Sequence, residues 1–282
     1  MIIFKSKFFI IFILFFLLTG CSDNDLLSIH VIDVGQGDSI LIQTPNGKNF
    51  LVDGADEDEA NIVKSYLRKQ NIRHLDFIIA THCDTDHIGG LDTIIKDFEV
   101  NKLFMPKEVN DNKAYNNLIT SCSNSNIPID HLCAYDSIKL MDNLTLDVLS
   151  PTYIQDESNL NSIVFTLTYH NKSFLFTGDC ESENETEIIN SFDLDNVDFL
   201  KVGHHGSSSS TSLDFLSATT PDIAAISCGY KNQYGHPHPS TLNNLNQNNI
   251  LIYRTDLHGD LVFYSDGDII FTKKDYELNK SR

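Results

Sequence analysis

Basic residues are scarce in this 282-residue sequence: 20 Lys and Arg stand against 39 Asp and Glu, a formal net charge of −19. That imbalance counts against a protein that grips duplex nucleic acid through a basic face. A solvated acidic surface is the simpler reading. No apolar run is long enough to cross a bilayer, since residues 8–18 offer eleven residues where a spanning helix needs about 20. Beyond Cys21 the cysteines are Cys83, Cys122, Cys133, Cys180 and Cys228. Their odd number excludes a complete disulfide framework, although Cys122 and Cys133 could pair across a short loop, and their spacing is not that of a structural zinc site. No linker, internal repeat or Pro-rich segment divides residues 22–282, a length that suits one elaborate domain better than two small ones.

The short apolar run carries information of its own. Lys5 and Lys7 precede it and Leu18-Thr19-Gly20-Cys21 ends it, the order of a secretory signal. An ordinary membrane anchor or a buried helix is the alternative. The tetrapeptide resembles the bacterial lipobox, in which cleavage after a small residue leaves a cysteine that receives lipid. The resemblance implies a signal peptide at 1–20, lipid attachment at Cys21 and a mature chain 21–282. That chain would be held at the cell membrane facing outside the cytoplasm, because two or more acyl chains anchor stably where one does not. Losing Lys5 and Lys7 moves the formal charge from −19 to −21.

Apolar runs in residues 26–34, 39–43 and 48–52 predict three strands, punctuated by Gly35-Gln36-Gly37-Asp38 and Pro45-Asn46-Gly47. Asp56 is placed to cap a helix whose apolar residues Ile62, Val63, Tyr66 and Leu67 recur at helical spacing. Further strands are expected at 77–80, 144–149, 162–169, 174–176, 197–202 and 223–226, with helices near 182–191 and after Ser240. A hairpin around Asp266-Gly267 closes the chain. Hairpins interspersed with helices point to a two-sheet core covered by helices.

The chemistry is concentrated in Thr81-His82-Cys83-Asp84-Thr85-Asp86-His87, which follows a buried strand and precedes Gly89-Gly90. Two imidazoles and two carboxylates on one loop, held at both ends by regular structure, can converge on cations. This segment resembles the His-x-His-x-Asp-His signature of the metallo-β-lactamase superfamily, and more closely the extracellular domain of ComEC competence proteins, which carry Asp at the second position, as Asp84 does. Six more segments follow the family's order: Ile32-Asp33-Val34-Gly35-Gln36-Gly37-Asp38-Ser39, Leu51-Val52-Asp53-Gly54-Ala55, Asn161-Ser162, Phe176-Thr177-Gly178-Asp179, Leu200-Lys201-Val202-Gly203-His204-His205-Gly206-Ser207 and Tyr234-Gly235-His236-Pro237-His238.

The resemblance implies an α/β, four-layer αββα sandwich with two divalent ions at the sheet edges. It assigns His82 and Asp84 to one ion, Asp86 and His87 to the other, Asp179 to both, and His204 to the late histidine position, with His205 as its rival. The histidine usual between the signature and the bridging aspartate is absent, and Asn161-Ser162 stand in its region. The donor set is richer in oxygen than that of a zinc site, so Mn²⁺ joins Zn²⁺ as an expected occupant. Paired cations lower the pKa of a bridging water and bind the oxygens of an in-line displacement, with Asp86 or Asp179 orienting the nucleophile. His236 is the expected proton donor. Lys201, His205, Ser207 and His238 are candidate anion-binding groups, or the Pro-His-Pro run merely stiffens its loop. Asp33, Asp38 and Asp53 either hold ligands through hydrogen bonds or serve as turn residues.

A phosphodiesterase or nuclease acting on single strands or nucleotides is the expected function. The alternatives are a hydrolase of a lactam, thioester or small phosphoester on the same fold, and a non-catalytic surface binding module. An intact ligand series disfavours the module. No obligate protein partner is expected, and without the membrane channel region of ComEC proteins, DNA uptake by this chain alone is not expected.

Overall fold

The computed structural model describes residues 26–194 and 197–274. The expected signal peptide at 1–20 and the expected lipid-attachment residue Cys21 lie outside the described residues. Alternation along the strands sets the layers. In Asn49–Val52, Phe50 and Val52 enter one apolar core and Leu51 enters another. Phe77–Ile79 repeats the division, with Ile78 on the outer side. Lys172–Phe176 does the same in the C-terminal half: Phe174 and Phe176 share the first core and Leu175 joins a third. Strands buried on both faces read as continuous apolar runs, which is why their sequences resemble those of buried helices.

The first sheet has eight strands, in the order Ile270–Thr272, Leu261–Ser265, Leu27–Val31, Ile40–Gln43, Asn49–Val52, Phe77–Ile79, Leu103–Met105 and Ile129–His131. The second has seven, in the order Leu251–Arg254, Ile223–Ile226, Phe199–Lys201, Lys172–Phe176, Val164–Tyr169, Leu144–Ser150 and Ser137–Met141. Helices Ala60–Lys69, Leu91–Asp97 and Lys113–Asn124 cover the outer face of the first sheet, and Ser182–Ser191, Leu213–Thr219 and Pro239–Gln247 cover the second. The result is an αββα sandwich. Its two sheets do not divide the sequence cleanly, because Leu261–Ser265 returns from the far end of the chain to pair with Leu27–Val31.

Some local expectations are corrected. Asp56 heads a turn, its carbonyl accepting the N–H of Glu59, and the helix begins only at Ala60. Cys122 is buried, Cys133 is exposed, and both are free thiols. Among the described residues no helix is long and apolar enough to cross a membrane.

Candidate metal centre

Parallel pairing carries the polar motifs to one edge. Asn49–Val52 runs parallel to Phe77–Ile79 in the first sheet, and Lys172–Phe176, Phe199–Lys201 and Ile223–Ile226 run parallel in the second. Residues just beyond their carboxyl ends therefore meet: Asp53, the loop 81–87, Asp179, His204 with His205, and Ser227. Ser227 ties the halves together, its hydroxyl donating to the Gly37 carbonyl at 2.7 Å. Glycine is required at two of these crossings. A Cβ on Gly37 would lie 2.4 Å from the Asp86 carbonyl oxygen, and one on Gly206 would lie 2.5 Å from the Cβ of Pro237.

Asp53 organises the first half of the site. Its backbone is left-handed (φ 58°), a conformation Asp tolerates better than most residues. One carboxylate oxygen accepts the Thr81 N–H at 2.8 Å, while the other accepts the Thr81 hydroxyl at 2.7 Å and His87 Nδ1–H at 2.8 Å. Having given its proton to Asp53, the Thr81 hydroxyl accepts from His82 Nδ1 at 3.1 Å. Both imidazoles are thus oriented from behind, as second-layer carboxylates orient histidine ligands in metal sites. In the other half, His205 Nδ1 donates to the Ser227 carbonyl at 3.1 Å. Its Nε2 lies 3.3 Å from Asp86 Oδ2 and 3.3 Å from Asp179 Oδ2.

His82 Nε2, His87 Nε2, His205 Nε2 and Asp179 Oδ1 are buried without a hydrogen-bond partner among the described residues. This holds although His87 Nε2 and Asp179 Oδ1 are only 3.2 Å apart. Buried polar atoms left unpaired are costly and rare, and imidazole nitrogens grouped with a carboxylate form a donor set for a divalent cation. Asp38, His87, Asp179 and His205 each offer a donor atom, all within 4.8 Å of one another. Asp38, however, pairs with Lys201 Nζ at 2.7 Å and approaches His205 from its Nδ1 side at 3.5 Å. Its other oxygen, Oδ1, is also buried without a hydrogen-bond partner among the described residues, so Asp38 borders the cluster from the Nδ1 side of His205.

The charges fit the same reading. Burial pulls the His87 imidazole down, but the carboxylates of Asp179 and Asp53 outweigh it and hold it well above the ordinary histidine range. Burial likewise opposes the His205 shift, and Asp179, Asp38 and Asp86 overcome it. Asp179 is pushed up by burial, yet His205 and His87 hold it well below the usual carboxylate range. Here protons neutralise clustered carboxylates, a role a divalent cation fills with greater charge. His82, pulled down by burial and then by His87, keeps a lone pair free to bind.

Residues 32–230 match the metallo-β-lactamase superfamily. The chain belongs to that superfamily. Divalent metals are bound across this superfamily, and membership supports a hydrolase. The chain is 31% identical over 253 residues to ComE operon protein 3 of Bacillus subtilis, covering 83% of this chain and 32% of that protein. It is 32% identical over 240 residues to Recombination protein 2 of Haemophilus influenzae, covering 83% and 28%. It therefore spans about a third of the length of the curated relatives it matches. Among solved structures, the diiron β-hydroxylase CmlA of Streptomyces venezuelae superposes with a TM-score of 0.58 at 13% identity, over 84% of this chain and 53% of that one. The metallo-β-lactamase fold protein YhfI of Bacillus subtilis gives 0.57 at 10% identity, over 85% and 100%. These two likenesses establish the fold.

Within this superfamily site the structure gathers His82, Asp84, Asp86, His87, Asp179 and His205. Asp84 is the most open, its Oδ2 3.7 Å from His82 Nε2. His204 and His205 both have left-handed backbones (φ 47° and 53°), and this turn separates their side chains. His205 is buried among the carboxylates, while His204 sits at the mouth. There His204 Nδ1 lies 3.2 Å from both Glu181 Oε1 and Ser209 Oγ, and its Nε2 lies 3.7 Å from Asp179 Oδ2.

The anion-binding expectations need correction at two positions. Lys201 is fully buried, its ammonium held by Asp38 and by the Val202 carbonyl at 3.0 Å, so it cannot meet a substrate. His238 spends both ring nitrogens on backbone: Nδ1 accepts the Ser208 N–H at 2.9 Å and Nε2 donates to the Tyr234 carbonyl at 3.1 Å. Ser207 is buried and accepts the Ser209 N–H at 3.3 Å. His236 does face the mouth, its ring centroid 5.6 Å from that of His204 and 6.2 Å from that of His205. Burial, followed by His205 and His204, lowers its pKa to about 4. Asp33 accepts the Gly35 N–H at 3.3 Å and is a turn residue. Thr81, Glu181, Ser227 and Gln36 contribute contacts that the sequence reading did not assign. Thr81 and Gln36 lie inside two of the motif segments and Glu181 two residues beyond Asp179; Ser227 carries no such signal.

Proposed function

We propose that this domain is a phosphodiesterase or nuclease acting on single-stranded nucleic acid or nucleotides, with two divalent ions, Zn²⁺ or Mn²⁺. The observation that carries the reading is the group of donor atoms at Asp179: His87 Nε2 lies 3.2 Å from one of its oxygens and His205 Nε2 3.3 Å from the other and from Asp86 Oδ2, with the His82 ring 4.2 Å from that of His87 and Asp84 beside His82. Likeness to competence and recombination proteins favours a phosphodiester among the substrates this superfamily accepts. Bound there, the ions would supply an acidified water and neutralise charge on the phosphoryl oxygens. The chain's own residues do the rest. Asp53 fixes His87 directly and His82 through Thr81. The Ser227 carbonyl fixes His205, with the Asp38 carboxylate 3.5 Å from the same nitrogen. Asp86, partly open to solvent, is placed to orient a nucleophile. His236, neutral and accepting from the Gln36 amide at 3.4 Å, can give a hydrogen bond through its other ring nitrogen to a phosphate or leaving-group oxygen, while the leaving group takes its proton from water. An acidic chain can still handle single strands, since the ions provide local positive charge.

The deciding experiment incubates the full-length protein with Mn²⁺ or Zn²⁺ and single-stranded DNA, bis-nitrophenyl phosphate or a chromogenic lactam. Turnover of the first two and not the third is expected. Turnover of the lactam alone would move the protein to another hydrolase class, and no turnover with bound metal would favour a binding module. We also propose lipid attachment at Cys21, with the domain facing outside the cytoplasm and no obligate protein partner. Cys21→Ala is expected to accumulate as unprocessed precursor without incorporated fatty acid; normal labelling of that variant would remove the anchor.

A further inference from the structure

Beside the metal centre, the loop 229–238 presents aromatic surface to solvent where folding gives no reason for it. Tyr230 is 67% exposed and Tyr234 56% exposed, and Lys231 Nζ lies 5.2 Å from the centroid of the Tyr230 ring. The loop is held without help from these rings. The Asn232 amide donates to the carbonyls of Gly229 and His236 at 2.9 and 2.6 Å, and its oxygen accepts the N–H groups of Tyr234 and His236 at 3.2 and 3.0 Å. Gly229 packs against the backbone of Gly35 and Gln36, and Pro237 against Gly206. The ring of Tyr234 lies 5.6 Å from that of His236 with their planes 22° apart, and His236 in turn adjoins His204 and His205. A rigid, exposed aromatic face is thus continuous with the candidate site.

We infer that this loop is a base-stacking platform, on which Tyr234 holds a nucleobase beside the phosphodiester to be cleaved. Proteins that take single strands without sequence preference combine exposed aromatic rings with a cation for the backbone, and Tyr234, Tyr230 and Lys231 supply that combination on one loop. The inference rests on the phosphodiesterase reading and narrows it to substrates that carry bases.

The test compares kcat/KM of the full-length, Mn²⁺-loaded protein on an oligothymidylate and on a strand of equal length built of abasic residues. Wild-type protein is expected to prefer the base-bearing strand by about 5- to 150-fold. Tyr234→Ala should bring the preference close to one, and Tyr234→Phe should keep it. Preference surviving in Tyr234→Ala, or lost equally in Tyr234→Phe, would overturn the inference. So would equal cleavage of both strands by wild type, which leaves the phosphodiesterase reading intact. Should neither strand be cleaved, fluorescence anisotropy separates the two ideas: tighter binding of the thymidylate that depends on Tyr234 keeps the platform and sinks the hydrolysis, and equal binding sinks the platform as well.

Discussion

Asp86→Ala is expected to lower phosphodiester turnover by at least about 10²–10³-fold, the scale seen when one group that stabilises transition-state charge is removed. Asp86 is the member of the donor set that both touches His205 Nε2, at 3.3 Å, and remains partly open, with 34% of its side chain exposed. Its loss would leave His87 and His205 with Asp179 as their shared carboxylate, so binding and orientation of the nucleophile would fail together. Metal content should separate the two adjacent histidines. His205→Ala is expected to lose at least one ion by elemental analysis, whereas His204→Ala, whose Nδ1 already faces Glu181, should retain both. Full activity in Asp86→Ala, or metal loss in His204→Ala with retention in His205→Ala, would defeat the assignment.

Lys201→Ala should cost about 3–5 kcal/mol of stability, the penalty for removing one partner of a buried ion pair. Both side chains are sealed from solvent, and their 2.7 Å contact joins the second sheet to the loop that carries Gly37. Burial pushes the Asp38 carboxyl up, but Lys201 and then His205 outweigh it and hold it well below the usual carboxylate range. A depressed carboxyl contributes stability that is fully present above its unfolded pKa of about 3.9 and is lost as pH falls below that value. Without Lys201 that depression shrinks, so the variant, less stable near neutral pH, should lose less further stability than wild type as pH falls below that value. The double variant Lys201→Met, Asp38→Leu should recover much of the loss, because no charge is then left buried alone. Urea unfolding of the single and double variants at several pH values gives the answer, and a cost below 1 kcal/mol for Lys201→Ala would refute the argument.

Part of the candidate site is legible in the sequence because four of its residues are local. His82, Asp84, Asp86 and His87 fall within six positions after the apolar strand Phe77–Ile79, and Asp179 follows the apolar run Phe174-Leu175-Phe176. What stayed hidden depends on backbone turns or on distant partners. Nothing in Gly-His-His-Gly distinguishes the two imidazoles; two successive left-handed residues do. Lys201 looks like a strand-end cation until the fold sets Asp38 against it. The strands Leu103–Met105, Ile129–His131 and Leu251–Arg254 were missed because three or four residues, some half-exposed, give too short a pattern. The helix Lys113–Asn124 was missed because its polar composition masks its buried Leu118 and Cys122.

The return of Leu261–Ser265 to the side of Leu27–Val31 has a consequence for how the chain is made. The register pairs Leu27 with Ser265 and Val31 with Leu261, nearly opposite ends of the sequence. Leu27–Val31, the first strand among the described residues, thus waits for one made more than two hundred residues later before one of its edges is covered, and such long-range closure slows folding. Until then Leu27–Val31 presents a run of unpaired backbone groups, an invitation to pair with a neighbouring chain. Loss of the residues after 260 would make that condition permanent, turning a late step in maturation into a route to aggregation.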